Sequence, residues 1–166
     1  MGEYVLAIDP SGNFEEGKGV TGWCLIEKEN IKIIKFGMIK ATQYKTKEEY
    51  WHAHLELIDS MQGFGVHLVV EDYRIYANRA KTQINSKLET PKLLGIIELE
   101  AFYRGIPITL QMAASVKKRW ADNILVHKGL IKEKGNKYEL NNVTLTDHIK
   151  DAIRHGVHYV TFGGKK

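Results

Sequence analysis

The chain has 166 residues, enough for one domain with a real core, and its 43% hydrophobic and 27% charged residues are ordinary for a globular protein. No run approaches the ~18 apolar residues of a membrane span, and a lone cysteine, Cys24, excludes an internal disulfide framework and any cysteine-cluster zinc site. The net charge of +4 permits a nucleic-acid partner without requiring one, so the placement of the charge carries more than its sum.

Taken in order, the chain opens on Tyr4-Val-Leu-Ala-Ile-Asp9, a short β-prone run that reads as a buried strand ending in the turn Asp9-Pro-Ser-Gly12. No signal-peptide pattern precedes it, and with one cysteine an intracellular, reducing setting is expected. Residues 3–9, 19–28 and 31–40 read as three successive strands, with a long first loop at 12–19 and a hairpin closed by Glu29-Asn30. Over 45–61, Tyr50, Ala53, Leu57 and Met61 recur at helical spacing, and Gly63 and Gly65 stop the pattern. Val66-His-Leu-Val-Val-Glu71 is near-continuously apolar, which predicts a fourth, central strand.

Residues 72–90 are polar and basic with interleaved aromatics and read as a loop with one helical turn. Pro91 starts the next predicted helix, which runs to Arg104 and is closed by Gly105. Its apolar residues, Leu93, Leu94, Ile96, Ile97, Leu99, Ala101 and Phe102, lie nearly all round it. Such a helix is covered on two sides, one by this protein's sheet and the other by a second subunit or another helix of the same chain. Ile106–Leu110 reads as a fifth strand, 113–127 as a basic helix, and 130–140 as a hairpin insertion around Lys134-Gly-Asn136. Thr144 or Thr146 caps a last helix reaching about residue 162. Three antiparallel strands followed by parallel strands and helices make a mixed α/β sheet in one domain over 1–166.

Two predicted strands end on a carboxylate, Asp9 and Glu71, and parallel neighbouring strands would bring both to one edge. Asp147-His-Ile-Lys-Asp151 opens the last helix, where His148 and Asp151 are three apart and share a face that His155 continues. Three carboxylates and an imidazole can hold divalent cations. Two such ions at ~4 Å stabilise the attacking and leaving oxygens of a phosphodiester displacement. Each residue also has a plainer reading. Asp9 suits a turn, Asp147 suits the positive end of a helix dipole as well as it suits a metal ligand, and His155 and His158 suit packing or a solvent-facing place. Glu71 is followed by Asp72, and strand alternation favours Glu71 as the inward acid. Around this set lie Lys117, Lys118 and Arg119 in one cluster, and Arg74, Arg79, Lys81 and Lys87 directly after Glu71. Positive charge beside an acidic site suits a phosphate backbone, although Lys117 could equally belong to a solvated face. Tyr73 and Tyr76 stand among these cations; unpaired bases could stack on them, or they could pack on the sheet.

The ordered set Ala7-Ile-Asp-Pro-Ser-Gly12 with Thr21-Gly-Trp23, Val69-Val-Glu-Asp72, and His148-x-x-Asp151-Ala-x-Arg-His155 resembles the RuvC-type Holliday junction resolvases, most of all their small bacteriophage and prophage relatives. The resemblance spans nearly the whole chain. It implies a ribonuclease-H-like fold of five strands flanked by helices, a homodimer, magnesium or manganese, and paired nicking of branched DNA. Residue by residue it implies that Asp9, Glu71 and Asp151 are metal ligands. His148 falls where members have Asp or His, and Lys117 falls beside the cleaved phosphate. Helix 91–104 becomes a dimer helix and Tyr76 a candidate wedge that opens the junction. The cytoplasm is the expected location, that of the host cell for a phage-encoded protein. The long first loop and the 130–140 insertion depart from the cellular pattern and bear on substrate preference: four-way junctions, with three-way junctions and flaps also in reach.

Three other readings compete. An actin-like or sugar-kinase ATPase needs two such domains and a second nucleotide loop, which 166 residues do not hold. A non-catalytic branched-DNA-binding module has no use for Asp9, Glu71, His148 and Asp151 together. A ribosomal-RNA-processing nuclease of the same fold would share the acidic site but not require the apolar helix or the 72–90 loop.

Overall fold

The computed structural model of the chain describes residues 3–85 and 87–163. Five strands, β1 (Tyr4–Asp9), β2 (Val20–Glu27), β3 (Lys32–Lys40), β4 (Val66–Glu71) and β5 (Ile108–Gln111), form one sheet in the order β3-β2-β1-β4-β5. The β1–β2 and β2–β3 pairs are antiparallel, and β1–β4 and β4–β5 are parallel. The apolar runs of β1 and β4 follow from this placement, since central strands are covered on both faces. Val5, Ala7 and Val69 face one core with Cys24 and Ile26; Leu6, Ile8, Leu68 and Val70 face the other with Leu25.

The second core lies under α1 (Lys47–Ser60) and α3 (Glu89–Tyr103), the first under α4 (Ala113–Arg119), α5 (Asp122–His127) and α6 (Asp147–Phe162). Thr46 and Glu49 form a capping box that starts α1, and Thr146 caps α6 by accepting from the Ile149 amide. A short helix, α2 (Ala80–Asn85), interrupts the loop after β4. The α6 backbone lies against β2 because Gly22 lacks a side chain; a Cβ there would sit 2.0 Å from the His148 carbonyl oxygen. Among the described residues, no helix is long and apolar enough to cross a membrane.

Several boundaries differ from the sequence reading. Helix α3 begins two residues before Pro91, which is harmless because first-turn amides have no intrahelical partner. The expected helix 113–127 is broken at Trp120-Ala121, where the Trp120 indole is buried and donates to His158 Nδ1 at 3.2 Å. The fifth strand is displaced to 108–111. The 130–140 insertion is a three-stranded sheet, β6 (Lys132–Lys134), β7 (Lys137–Leu140) and β8 (Val143–Thr144). Its second turn, Asn141-Asn142, has φ of 50° and 63°, a left-handed geometry that asparagine tolerates.

Candidate active site

The parallel register sets Ile8 opposite Val70, so Asp9 and Glu71 leave adjoining strand ends on the same edge of the sheet. Helix α6 brings Asp151 to the same point, and one oxygen from each of the three carboxylates lies within 4.8 Å of the others. All three side chains are largely buried, between 13% and 18% exposed. So tight a group of acids needs compensation. Lys117, on α4, supplies part of it, with Nζ 3.0 Å from Asp151 Oδ2 and 3.5 Å from Glu71 Oε2.

Two further groups fix the acids. Fully buried His155 meets Glu71 Oε2 at 2.9 Å through Nε2 and the Gln111 side-chain amide at 3.1 Å through Nδ1. Arg154 donates from Nη1 to Asp151 Oδ1 at 2.5 Å and from Nε to the Trp120 carbonyl at 2.8 Å, and its Nη2 bonds Asp122. The break between α4 and α5 frees that carbonyl and turns Asp122 toward Arg154.

The electrostatics follow the geometry. Burial raises the Asp9 carboxyl above its ordinary value; Glu71 and Asp151 add to the rise, while His148 and Lys117 oppose it. Burial also pushes Glu71 up, but the His155 hydrogen bond and the Lys117 charge outweigh it, and Glu71 lies below its ordinary value. Lys117 is partly desolvated, yet the three carboxylates hold its ammonium above the usual lysine range. His148 lies at the open rim, Nδ1 3.9 Å from Asp9 Oδ2, and the Asp9 carboxylate raises its pKa.

Asp147 is apart from this group. It is 89% exposed and pairs with Lys150 at 3.2 Å, the position of a first-turn acid. Asp72 is turned away as well, its Oδ1 accepting from the Tyr73 amide at 2.8 Å.

Tyr73 packs on the α1/α3 core, whereas Ile75 and Tyr76 are exposed. Gln83 of α2 braces this stretch, accepting from the Tyr76 amide at 2.8 Å and donating to the Arg74 carbonyl at 2.7 Å. An open cleft of about 450 Å³ runs from Glu71 and Lys117 past Ala113 and Ala114 to Tyr76, Asn78 and Arg79. Arg74, Arg79, Lys81 and Lys118 are exposed. Lys87 pairs with Glu15 at 2.5 Å, and Arg119 stacks over the Phe162 ring at 4.2 Å, so Lys117 alone of the 117–119 cluster turns to the carboxylates. The sequence alone leaves His155 to packing or solvent and places Arg154 only within the His148–His155 motif; their spacing from Asp151 at i+4 and i+3 is the available signal.

The donor set suits a hard divalent cation: three carboxylates, with His148 adjacent to Asp9. Strand order, parallel and antiparallel pairs and the closing helix define the chain as a ribonuclease-H-like fold with an acidic cluster at the edge where β1 and β4 end. Thermus thermophilus RuvC in complex with a Holliday junction substrate shares that fold, with a TM-score of 0.71 and 16% identity over 97% of this chain and 94% of that one. A second Thermus thermophilus RuvC structure gives a TM-score of 0.65 and 16% identity over 96% and 94%. At this identity the likeness is one of fold. No protein-family model matches the chain, and no curated protein sequence matches it.

Proposed function

We propose that this protein is a metal-dependent, structure-selective DNA endonuclease of the RuvC-like kind, resolving four-way junctions and other branched DNA by paired nicks. The observation that carries the reading is the convergence of Asp9, Glu71 and Asp151 within 4.8 Å, faced by the Lys117 ammonium. Asp9, Glu71 and Asp151 would hold magnesium or manganese, two ions per site, with His148 completing the set from the rim. When bound, the ions supply positive charge to the attacking and leaving oxygens of the phosphodiester.

The chain's own groups do the rest. Lys117 can donate to a non-bridging phosphate oxygen from where it now contacts Asp151 and Glu71. His155 and Arg154 hold Glu71 and Asp151 in one rotamer each. Arg79 and Arg74, which line clefts beside Glu71, would meet the DNA backbone together with exposed Lys81, with Lys118, Arg119 and Lys87 as outlying contacts, and Tyr76 would offer an aromatic face to an unpaired base. Tyr73 backs that loop from the core side.

The partner in this reading is a second copy of the chain. Leu99, Phe102 and Tyr103 stand on one face of α3 and are 53%, 76% and 74% exposed, while Leu93, Leu94, Ile97 and Ala101 fill the protein's own core. An apolar face of this kind suits a two-fold dimer on a two-fold junction. The insertion β6–β8 fits the small bacteriophage members of the group.

A panel of four-way, three-way, flap and linear DNAs, and a structured RNA, with magnesium and with manganese, tests the reading. Branched DNA should be cut and the RNA left intact. Asp9→Asn should lower cleavage by about four orders of magnitude or more, on the scale of losing one member of a catalytic unit, with junction binding retained. Nicking by Asp9→Asn at the wild-type rate would remove the cluster from the chemistry.

A further inference from the structure

The turn that follows Asp9 is held by a buried polar chain. The Ser11 amide donates to Thr21 Oγ1 at 3.1 Å, and the Tyr50 hydroxyl donates to the Ser11 carbonyl at 2.5 Å. Both backbone groups of Ser11 are therefore held by side chains. Thr21 Oγ1 also lies 2.7 Å from His54 Nε2, and His54 Nδ1 lies 2.8 Å from the Tyr50 carbonyl. A carbonyl can only accept, so His54 carries its hydrogen on Nδ1. Nε2 is then bare and accepts from the Thr21 hydroxyl, leaving the Thr21 oxygen to receive the Ser11 amide. Every proton in the chain has one place. His54 and Thr21 are fully buried, and burial drops the His54 imidazole to about 4, so this single tautomer persists across the neutral range.

A third support comes from α3. The Gly12 amide donates to Thr90 Oγ1 at 3.0 Å, and a Cβ on Gly12 would lie 2.3 Å from the Glu89 carbonyl oxygen. Thr21 is also the neighbour of Gly22, which pairs with Asp9 across β1 and β2. Buried polar groups are costly unless satisfied. These are satisfied largely by the turn two residues beyond Asp9, where a carboxylate shared with Glu71 and Asp151 has to be placed to a fraction of an ångström.

We propose that Thr21, His54 and Tyr50 are positioning residues for the Asp9 carboxylate, acting through the Ser11 turn; this rests on the metal-site reading of Asp9. The experiment compares Thr21→Val, which keeps the shape and loses the hydroxyl, with Thr21→Ser, which keeps the hydroxyl. Mn²⁺ affinity is titrated by electron paramagnetic resonance, and kcat and KM are measured on a four-way junction, well below each variant's Tm. Thr21→Val should bind Mn²⁺ ~10–100-fold more weakly, on the scale of losing a group that orients a ligand, and lose kcat in step with KM unchanged. Thr21→Ser should restore both to within about threefold, as the hydroxyl alone carries the effect. Tyr50→Phe, which gives up only the hydroxyl that meets Ser11 at 2.5 Å and Thr21 Oγ1 at 3.4 Å, should follow Thr21→Val and stands in if that variant does not fold. Wild-type Mn²⁺ affinity in both Thr21→Val and Tyr50→Phe would overturn the proposal, as would a Thr21→Ser as impaired as Thr21→Val. A wild type that binds no Mn²⁺ sinks both the metal site and this inference. One that binds Mn²⁺ and cuts nothing sinks only the nuclease reading, and the Mn²⁺ titration still decides the network.

Discussion

Acidification should destabilise this protein through His54. In the folded state the ring is fully buried and its two nitrogens are committed to Thr21 and the Tyr50 carbonyl. Burial lowers its pKa from the ordinary 6.5 to about 4. The unfolded chain takes a proton near 6.5 that the folded chain refuses until about 4. The stabilisation is therefore complete above 6.5 and is lost as pH falls from there toward 4. Each pH unit of that separation is worth about 1.36 kcal/mol, so going from about pH 7 to about pH 5 should cost about 2 kcal/mol from this residue. Urea unfolding followed by tryptophan fluorescence, at both pH values, measures it in wild type and in His54→Gln. Every other ionisable group is common to the two proteins, so the comparison isolates residue 54. The wild-type advantage over His54→Gln should shrink by about 2 kcal/mol on acidification. An advantage that is the same at both pH values would refute the assignment of His54 as a buried neutral imidazole.

Three further outcomes bear on the DNA interface and the assembly. Tyr76→Ala should slow cleavage of an intact four-way junction ~10-fold or more, the scale of removing one base–aromatic stack, while a substrate already unpaired at the branch is cut normally. Arg79→Ala with Lys81→Ala should instead weaken binding to every branched DNA and flatten its salt dependence by ~0.9 for each phosphate no longer neutralised; equal slowing of both substrates by Tyr76→Ala would return that side chain to a structural role. Light scattering should give about twice the 19.0 kDa chain mass, and Leu99→Glu with Phe102→Glu should give a folded monomer, since both side chains lie outside the core. A wild-type monomer at micromolar concentration would count against a two-fold nuclease.

The strands were legible because burial on both faces leaves a direct mark: β1 and β4 are almost unbroken apolar runs ending in an acid. The break between α4 and α5 left no such mark. Residues 113–127 contain neither glycine nor proline, and what interrupts them is the burial of Trp120 against α6, a contact 38 residues away. Helix α2 is six residues long, too short for periodicity to declare itself, and the loop before it is fixed by the Gln83 side chain. The Asn141-Asn142 turn was readable in principle, because two consecutive residues that tolerate positive φ between short β-prone runs mark a hairpin.

The site divides along the same line. Asp9 and Glu71 stand at strand ends that the parallel register brings together, and Asp151, one turn into α6, lies near enough to the start of that helix for sequence order to suggest it. The groups that hold those acids come from tertiary packing. His155 has the same i+4 spacing to Asp151 that any packed helical histidine could have; its contact with Glu71 exists because α6 crosses the sheet at the depth Gly22 allows. His54 is less legible still, one of two histidines in α1, and only its burial separates it from exposed His52. Its partner Thr21 belongs to a strand that reads as an ordinary β-branched position. Ligand residues are constrained by charge and by position along their own element, which sequence records. Positioning residues are constrained by the distance to another element's backbone, and that distance is fixed only once the chain has folded.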